Sequence, residues 1–146
     1  MRWAIGIEYD GAAFNGWQSQ AHATGVQTVV EAALSAVADH PVKVQCAGRT
    51  DAGVHAVGQV AHFDSSSART DRAWTLGTNA HLPRGVAVRW AREVPDDFHA
   101  RFSALSRRYA YLILNRAARA GLWDSRVAWE FRPLDVTRMQ AATPAL

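Results

Sequence analysis

The amino-acid sequence predicts an α+β fold over its first two thirds. Three observations lead to this prediction: apolar and polar residues alternate in several short segments, one longer segment has helical periodicity, and turn-forming glycine, proline and aspartate lie between them. The predicted elements follow in the order strand, helix, strand, strand, helix, strand. This order is typical of a ferredoxin-like split β-α-β antiparallel sheet, an arrangement that RNA-recognition modules also use.

Each element of this domain has its own signal. Residues 2–9 alternate as a strand does and end at the turn pair Asp10-Gly11. The segment from Val26 to Ala38 places apolar residues at helical spacing and stops ahead of Pro41. The other expected elements are strands at 42–46, 58–63 and 86–94, a loop at 48–53, and a helix near 72–79 with Thr70 or Asp71 as its N-cap. Trp17 and Trp74 are expected to be buried in the core.

A second, incomplete α+β domain is expected after residue 96. Pro95-Asp96-Asp97 indicates the boundary between a domain at 1–96 and the start of another at 97–146. The second domain shows one strand pattern at 108–114 and one helix pattern at 134–142 that begins near Asp135. One strand and one helix bury little apolar surface, so we expect an unfinished core and self-association through exposed apolar side chains.

The composition is that of a globular protein, with a cytoplasmic location as the default. Hydrophobic residues make up 49% and charged residues 20% of the chain. No apolar run approaches the roughly 20 residues that cross a bilayer, and Glu8 and Asp10 follow the N-terminus too closely for a signal peptide. Cys46 is the only cysteine, which excludes a disulfide framework. The net charge of +3 rests almost entirely on arginine, which suits a polyanionic partner.

One loop stands out as a candidate functional segment, Gly48-Arg49-Thr50-Asp51-Ala52-Gly53-Val54-His55. Its glycines allow the backbone to approach a ligand closely, and Arg49 beside Asp51 would favour an ionised carboxylate or hold a phosphate. His55 adds a polar group where the loop ends. The alternative is an ordinary β-turn in which Asp51 caps its own backbone and Arg49 is a solvated charge. The loop residues taken alone favour this alternative.

Longer motifs carry a resemblance to one family. The loop, continued to Ala56, resembles the signature of the A-type tRNA pseudouridine synthases. Further matching segments occur in order: Glu8-Tyr9-Asp10-Gly11, Gly16-Trp17-Gln18-Ser19-Gln20, Val26-Gln27, Gly58-Gln59-Val60-Ala61-His62-Phe63, Trp74-Thr75-Leu76-Gly77-Thr78-Asn79-Ala80-His81-Leu82-Pro83, Val94-Pro95-Asp96-Asp97-Phe98-His99-Ala100-Arg101-Phe102-Ser103-Ala104 and Arg107-Arg108-Tyr109. Phe14 stands where the family usually has tyrosine, and family members continue until a second domain is complete. The sequence is thus similar to the N-terminal half to two-thirds of such a protein.

The resemblance implies an isomerase that converts uridine to pseudouridine at positions 38–40 of the tRNA anticodon stem-loop. Its partner would be tRNA, the complete protein would be a homodimer, and no membrane, metal or cofactor would take part. The reaction exchanges one glycosidic bond for another without redox change. It therefore needs an ionised nucleophile and a base flipped out of its stack.

The resemblance also implies roles for particular residues. Asp51 would be the nucleophile, and its point of attack, ribose or pyrimidine ring, stays open. Arg49 would contact Asp51 or occupy the space of the flipped nucleotide, and Tyr109 would stack on the target base. The other expected substrate-binding residues are Arg101, Arg107, Arg108 and His55. Without the resemblance, each arginine would be read as a solvated charge and Tyr109 as a packed strand residue.

Two other functions fit parts of the sequence. One is a non-catalytic RNA-binding remnant of the same family, left by loss of the second domain. The other is a metal-dependent phosphoryl-transfer enzyme with Glu8, Asp10 and Asp51 as ligands of Mg²⁺. Asp10-Gly11 is better explained as a turn, and the six histidines show no paired metal spacing.

Overall fold

Two compact units make up the chain in this computed structural model, which describes residues 1–145. The first unit is Met1–Arg107, and the second begins at Arg108. Residues 97–107 thus lie with the first unit, whereas the sequence places a domain boundary after residue 96. The division of the chain into domains at that boundary stays a prediction.

A four-stranded antiparallel sheet forms the centre of the first unit. Its strands are β1 (Arg2–Tyr9), β2 (Gln45–Cys46), β3 (Ala56–Asp64) and β4 (Val86–Val94), in the spatial order β2-β3-β1-β4. Every neighbouring pair is antiparallel. The predicted α+β class is therefore confirmed, as are the strands at 2–9 and 86–94 and, with slightly wider bounds, the strand at 58–63.

The second strand is shorter than predicted, because α1 takes over part of its hydrogen bonding. Val42 and Val44 are buried, yet their backbone N–H groups donate to side chains of that helix rather than to a strand. Val42 donates to the Ser35 hydroxyl at 2.9 Å and Val44 to the Glu31 carboxylate at 3.1 Å. The prediction of a strand over 42–46 was therefore wrong for all but its last two residues.

Two helical segments cover one face of the sheet. Helix α1 (Val26–Ala38) has the predicted bounds. A π-helical turn (Ala73–Gly77) continues into α2 (Thr78–His81), which confirms a helix near 72–79. The Thr70 hydroxyl accepts from Ala73 N at 3.1 Å, and Asp71 accepts from Arg72 N at 2.7 Å, so both candidate caps satisfy donors of the first turn.

The core lies between this helical layer and the sheet. Alternate residues of β1 face the helices, with Ile5 and Ile7 fully buried, while Ala4, Gly6 and Glu8 point to the opposite face. The largest fully buried side chains include Trp17, Trp74, Phe63, Leu34 and Val30. The predicted burial of both tryptophans is confirmed.

The segment that follows β4 crosses part of the opposite face of the sheet. Ala100 N donates to Nδ1 of His62 at 3.2 Å, and the rings of His62 and His99 lie 4.6 Å apart. Arg2 pairs with Asp64 through two bonds of 2.8 Å and also donates to the Phe98 carbonyl at 3.0 Å. These contacts fix residues 96–100 over the end of the sheet where β1 begins and β3 ends.

The second unit contains a two-stranded parallel sheet and a short helix. Its elements are β5 (Ile113–Asn115), β6 (Ala128–Glu130) and α3 (Val136–Ala142). The Asp135 carboxylate caps α3 by accepting from Arg138 N at 3.0 Å, which confirms the predicted start. The strand predicted at 108–114 was wrong for residues 108–112, which lie outside the described strands, although the Leu112 carbonyl accepts from Ala128 N of β6 at 2.8 Å.

Large apolar side chains remain exposed across the second unit. Between residues 108 and 145, Ala120 is the only residue that is buried. The exposed set includes Tyr109, Tyr111, Leu112, Leu122, Trp123, Trp129 and Phe131. Exposed apolar side chains were expected here, while the incompleteness of this domain and the self-association inferred from it stay predictions. None of the helices found between residues 1 and 145 combines the length and apolar character needed to span a membrane.

Candidate active site

The loop that joins β2 to β3 is held from the side by the last residue of β1 and the segment that follows it. The Tyr9 hydroxyl lies 2.7 Å from the Thr50 hydroxyl, and Trp17 N donates to the Thr50 carbonyl at 2.9 Å. Gly53 N donates to the Phe14 carbonyl at 3.4 Å. The motifs around Tyr9 and Trp17 therefore meet the loop motif in space, and they support its backbone.

Two glycines make this close approach feasible. Gly16 has a φ of +88°, and a Cβ built on it would lie 2.6 Å from the Thr50 carbonyl oxygen. A Cβ on Gly11 would overlap the Val54 carbonyl. Any larger residue at either position would push the backbone of the loop outward. The loop position is thus set mainly by backbone contacts.

Asp51 lies at the exposed tip of this supported loop. Its carbonyl accepts from Val54 N at 3.2 Å, and Gly53 adopts a φ of +79°, so the tip is a hydrogen-bonded turn. Within residues 1–145 the Asp51 carboxylate makes no hydrogen bond and no ion pair. The turn alternative is thus right about the backbone, but the side chain does not cap it. The carboxylate is presented to solvent on a fixed backbone.

Three arginines gather where β2 runs into the loop. Arg107 Nε donates to the Ala47 carbonyl at 2.9 Å, and its Nη2 donates to the Arg101 carbonyl at 2.9 Å. Arg49 and Arg101 both act on Cys46: burial raises the pKa of its thiol, and the two guanidinium groups partly offset this. We call Arg49, Arg101 and Arg107 the β2 arginine cluster.

Arg49 does not form the expected contact with Asp51. In the part of the chain that the structure describes, no ion pair joins the two side chains, and both are exposed. The other role expected of Arg49, occupying the space of a flipped nucleotide, stays a prediction.

His55 connects the end of the loop to the turn after β1. Its Nδ1 lies 3.1 Å from Gly11 N and 3.0 Å from Oδ1 of Asp10. An unprotonated Nδ1 accepts from Gly11 N, whereas a protonated Nδ1 would donate to the carboxylate. In either form the ring braces the loop, and the substrate-binding role expected of His55 stays a prediction.

Tyr109 and Arg108 belong to the second unit, where both side chains are exposed. The loop, the β2 arginine cluster and His55 all belong to the first unit. The contact expected between Tyr109 and a target base stays a prediction, as does the phosphate contact of Arg108.

Two groups in the first unit were not predicted from the sequence as parts of the site. The Tyr9–Thr50 hydrogen bond links two motifs whose contact was not predicted. A tyrosine at the end of an otherwise aliphatic strand was the sequence feature that could have indicated it. Arg89 lies further along the sheet, with Nη1 donating to the Val57 carbonyl at 2.9 Å. Its signal was a charged residue within a mostly apolar strand pattern.

The geometry does not support the metal-dependent alternative. Among residues 1–145, no three His, Cys, Asp or Glu side chains converge as metal ligands. Asp10 accepts from Ala12 N at 3.0 Å and contacts His55, while Glu8 lies 3.6 Å from Arg89 Nε. The three carboxylates proposed as Mg²⁺ ligands are therefore not gathered at one point.

Comparison with known proteins gives a consistent result. A family model described as "tRNA pseudouridine synthase" matches residues 5–103. The "tRNA pseudouridine synthase A" of Dechloromonas aromatica is 61% identical over 142 residues, which are 97% of this chain and 54% of that protein. The proteins of the same name from Shewanella amazonensis and Vibrio cholerae are 58% and 57% identical over 100% and 97% of this chain, and 56% and 54% of their own lengths. The chain spans about half the length of the curated relatives it matches.

Proposed function

Because this chain belongs to the tRNA pseudouridine synthase family, we propose that it carries the nucleophile half of an active site that isomerises uridine in tRNA. The observation that carries this proposal is the Asp51 carboxylate, exposed and without a partner among the described residues, on a loop fixed by backbone contacts. A nucleophile held in this way needs little reorganisation before it reacts.

The reaction breaks the bond between N1 of uracil and C1′ of ribose, rotates the base, and forms a bond between C5 and C1′. The proton on C5 is lost to water, and N1 gains one, so atoms and charge balance without a cofactor. Asp51 supplies the nucleophile that holds the intermediate, at ribose or at the pyrimidine ring. The target uridine must leave its stack to reach a carboxylate at a loop tip.

Arginines in the first unit support tRNA as the substrate. The β2 arginine cluster places three guanidinium groups next to the loop, where they can bind phosphates on either side of the target nucleotide. By the same proposal, Arg108 contacts a phosphate of the substrate and Tyr109 stacks on the flipped base. The substrate is the anticodon stem-loop, as the family resemblance implies.

Further properties belong to the same proposal. The spatial order β2-β3-β1-β4 with all-antiparallel pairing supports a ferredoxin-like first domain. The complete protein acts as a homodimer in the cytoplasm, in keeping with the family resemblance.

A second candidate function is RNA binding without turnover. It is favoured by one observation: the β2 arginine cluster offers phosphate contacts that do not depend on Asp51. Binding needs only the phosphate contacts. Turnover needs the closed cleft as well.

Tritium release from C5-labelled uridine in tRNA tests the proposed function directly. The parent chain should release tritium, and Asp51→Asn should reduce release by at least about a thousandfold, because the amide is no nucleophile. Asp71→Asn, which neutralises an exposed carboxylate at the start of the second helical segment, is the matched control and should leave release unchanged.

The same assay separates the two candidates when filter binding is measured in parallel. Bound tRNA without release would favour the second candidate over the first. Normal release by Asp51→Asn would show that the nucleophile has been assigned wrongly.

A further inference from the structure

The face of the sheet turned away from the helices carries an aromatic side chain in an unusual setting. In the register of the sheet, Gly6 stands between Val60 on β3 and Trp90 on β4. A Cβ on Gly6 would overlap the Trp90 indole, so the ring lies directly over the glycine. Trp90 is nevertheless 38% exposed. We call this side of the sheet, part of which residues 96–100 cover, the open face.

An irregularity in β4 places a cation next to this ring. The register shifts between Gly6 and Ile7, so Arg89 is an extra residue between Val88 and Trp90. Arg89 Nη1 donates to the Val57 carbonyl at 2.9 Å, and its Nε lies 3.6 Å from the Glu8 carboxylate. The guanidinium is thus held across three strands while remaining exposed.

The Arg89 guanidinium lies at the end of the sheet where the Asp51 loop enters β3. Val57 is the second residue of β3, directly after His55 and Ala56. Arg92 pairs with Ala4 of the neighbouring strand β1, so its side chain also lies on the open face. Arg92 is exposed. The β2 arginine cluster marks the opposite edge of the sheet. Guanidinium groups therefore border the open face on both edges.

We propose that the open face binds RNA through a stacking site at Trp90, with Arg89 and Arg92 contacting the flanking phosphates. The occupant is an unpaired nucleotide next to the target uridine, and its identity as tRNA rests on the proposed function. Charge favours RNA over a protein partner, because one indole offers little apolar area and two exposed arginines, Arg89 and Arg92, flank it on β4. The Arg89 guanidinium lies 3.6 Å from the Glu8 carboxylate. An exposed aromatic ring on a sheet is a platform on which any base can stack.

The test uses the 146-residue chain and two RNA probes. One probe is a tRNA anticodon stem-loop with unpaired uridines, and the other is a blunt duplex of the same stem sequence. Trp90→Leu keeps apolar cover over Gly6 but has no ring, whereas Trp90→Phe keeps a ring. We expect Trp90→Leu to weaken stem-loop binding roughly tenfold, Trp90→Phe to stay within about threefold of the parent, and neither to alter duplex binding. Thermal unfolding of each variant confirms that it is folded.

Salt dependence tests the cation separately. Arg89→Gln should lower the slope of log affinity against log salt by about one. Arg72→Gln removes an exposed arginine from the helical side of the sheet and should leave the slope unchanged.

The remaining outcomes of the RNA-binding test either overturn or support the inference. The inference is overturned if Trp90→Leu binds the stem-loop as tightly as the parent, or if both probes lose affinity equally. A parent chain that binds neither RNA overturns this inference and also the tRNA contact of the proposed function. Stem-loop binding that depends on Trp90, in a chain that releases no tritium, supports this inference and counts only against turnover.

Discussion

The hydroxyl of Tyr9 is buried at the end of β1, and its partner Thr50 directly precedes Asp51. In Tyr9→Phe, the Thr50 hydroxyl loses this hydrogen bond while the ring packing is kept. We expect the free energy of unfolding to fall by about 1 kcal/mol, and the amides of residues 51–54 to exchange faster. Urea denaturation gives the first quantity and hydrogen exchange by NMR the second.

A double-mutant cycle with Thr50→Val isolates this hydrogen bond. The double variant should be less destabilised than the sum of the two single variants, because each single change already removes the same interaction. Strictly additive effects would mean that the hydroxyl pair makes no contribution to the loop.

His62 makes stability depend on pH. Burial lowers the pKa of this imidazole below its ordinary value of 6.5, with smaller contributions from the nearby positive charges of His99 and Arg2; Asp64 acts in the opposite direction. The folded chain thus keeps His62 neutral while the unfolded chain takes up a proton. Stability should be unaffected above pH 6.5 and fall as the pH drops below it.

His62→Asn removes this titration while keeping an acceptor for Ala100 N. Between about pH 7.5 and about pH 5.5, the urea concentration at the unfolding midpoint should fall less in His62→Asn than in the parent. An equal loss in both proteins would assign the pH dependence to other groups.

At the scale of secondary structure, the glycines that support the loop can be compared directly. Gly16 and Gly53 both have positive φ, but only Gly16 has backbone within contact distance of its missing Cβ. Gly53→Ala should lower the free energy of unfolding by about 1 kcal/mol, because alanine disfavours a positive φ. Gly16→Ala should cost clearly more, because Thr50 must also move, and should accelerate amide exchange in the loop.

Gly58→Ala provides the reference for this comparison. Gly58 lies in β3 with open space around it and no positive φ, so alanine there should be neutral or slightly stabilising. Denaturation midpoints of the three variants give the order. Equal losses at Gly16 and Gly53 would show that the steric contact with Thr50 is relaxed at no cost.

Most elements of the first unit could be predicted because their signals are local. The alternation in β1 and β4 and the spacing in α1 gave the correct bounds. Residues 108–114 are equally rich in aromatic and aliphatic residues, but a strand also needs a neighbour, and the paired residues of β5 begin only at Ile113. The shortening of β2 could not be predicted either, since it depends on hydrogen bonds from Val42 and Val44 to Ser35 and Glu31, one turn apart on the preceding helix.

The candidate site was predictable in its parts but not in its assembly. Sequence motifs identified Asp51 and the segment around Tyr9 separately. That the second supports the first depends on a hydroxyl pair and on glycine contacts formed only after the chain folds. The isolation of Asp51 from Arg49 was also unpredictable, because neighbours in a loop can point apart.

At the scale of the whole molecule, the two units should differ sharply in stability. The first has a continuous core of aromatic and aliphatic side chains, whereas between residues 108 and 145 only Ala120 is buried. Amides of α3 should therefore exchange orders of magnitude faster than those of α1, since protection follows local burial. Hydrogen exchange by mass spectrometry on the intact chain measures both. Equal protection in α1 and α3 would contradict this difference.

The hydrogen bonds between the loop and the segment after β1 join residues 41 and 44 positions apart in the chain. We expect such contacts to form after β1 and β3 have paired, because the intervening chain must first be closed into a loop. The loop around Asp51 should therefore acquire its geometry late in folding, and a partly folded chain should carry Asp51 without the fixed backbone described above. Loss of this loop geometry should accordingly accompany the global unfolding transition of the first unit and not precede it.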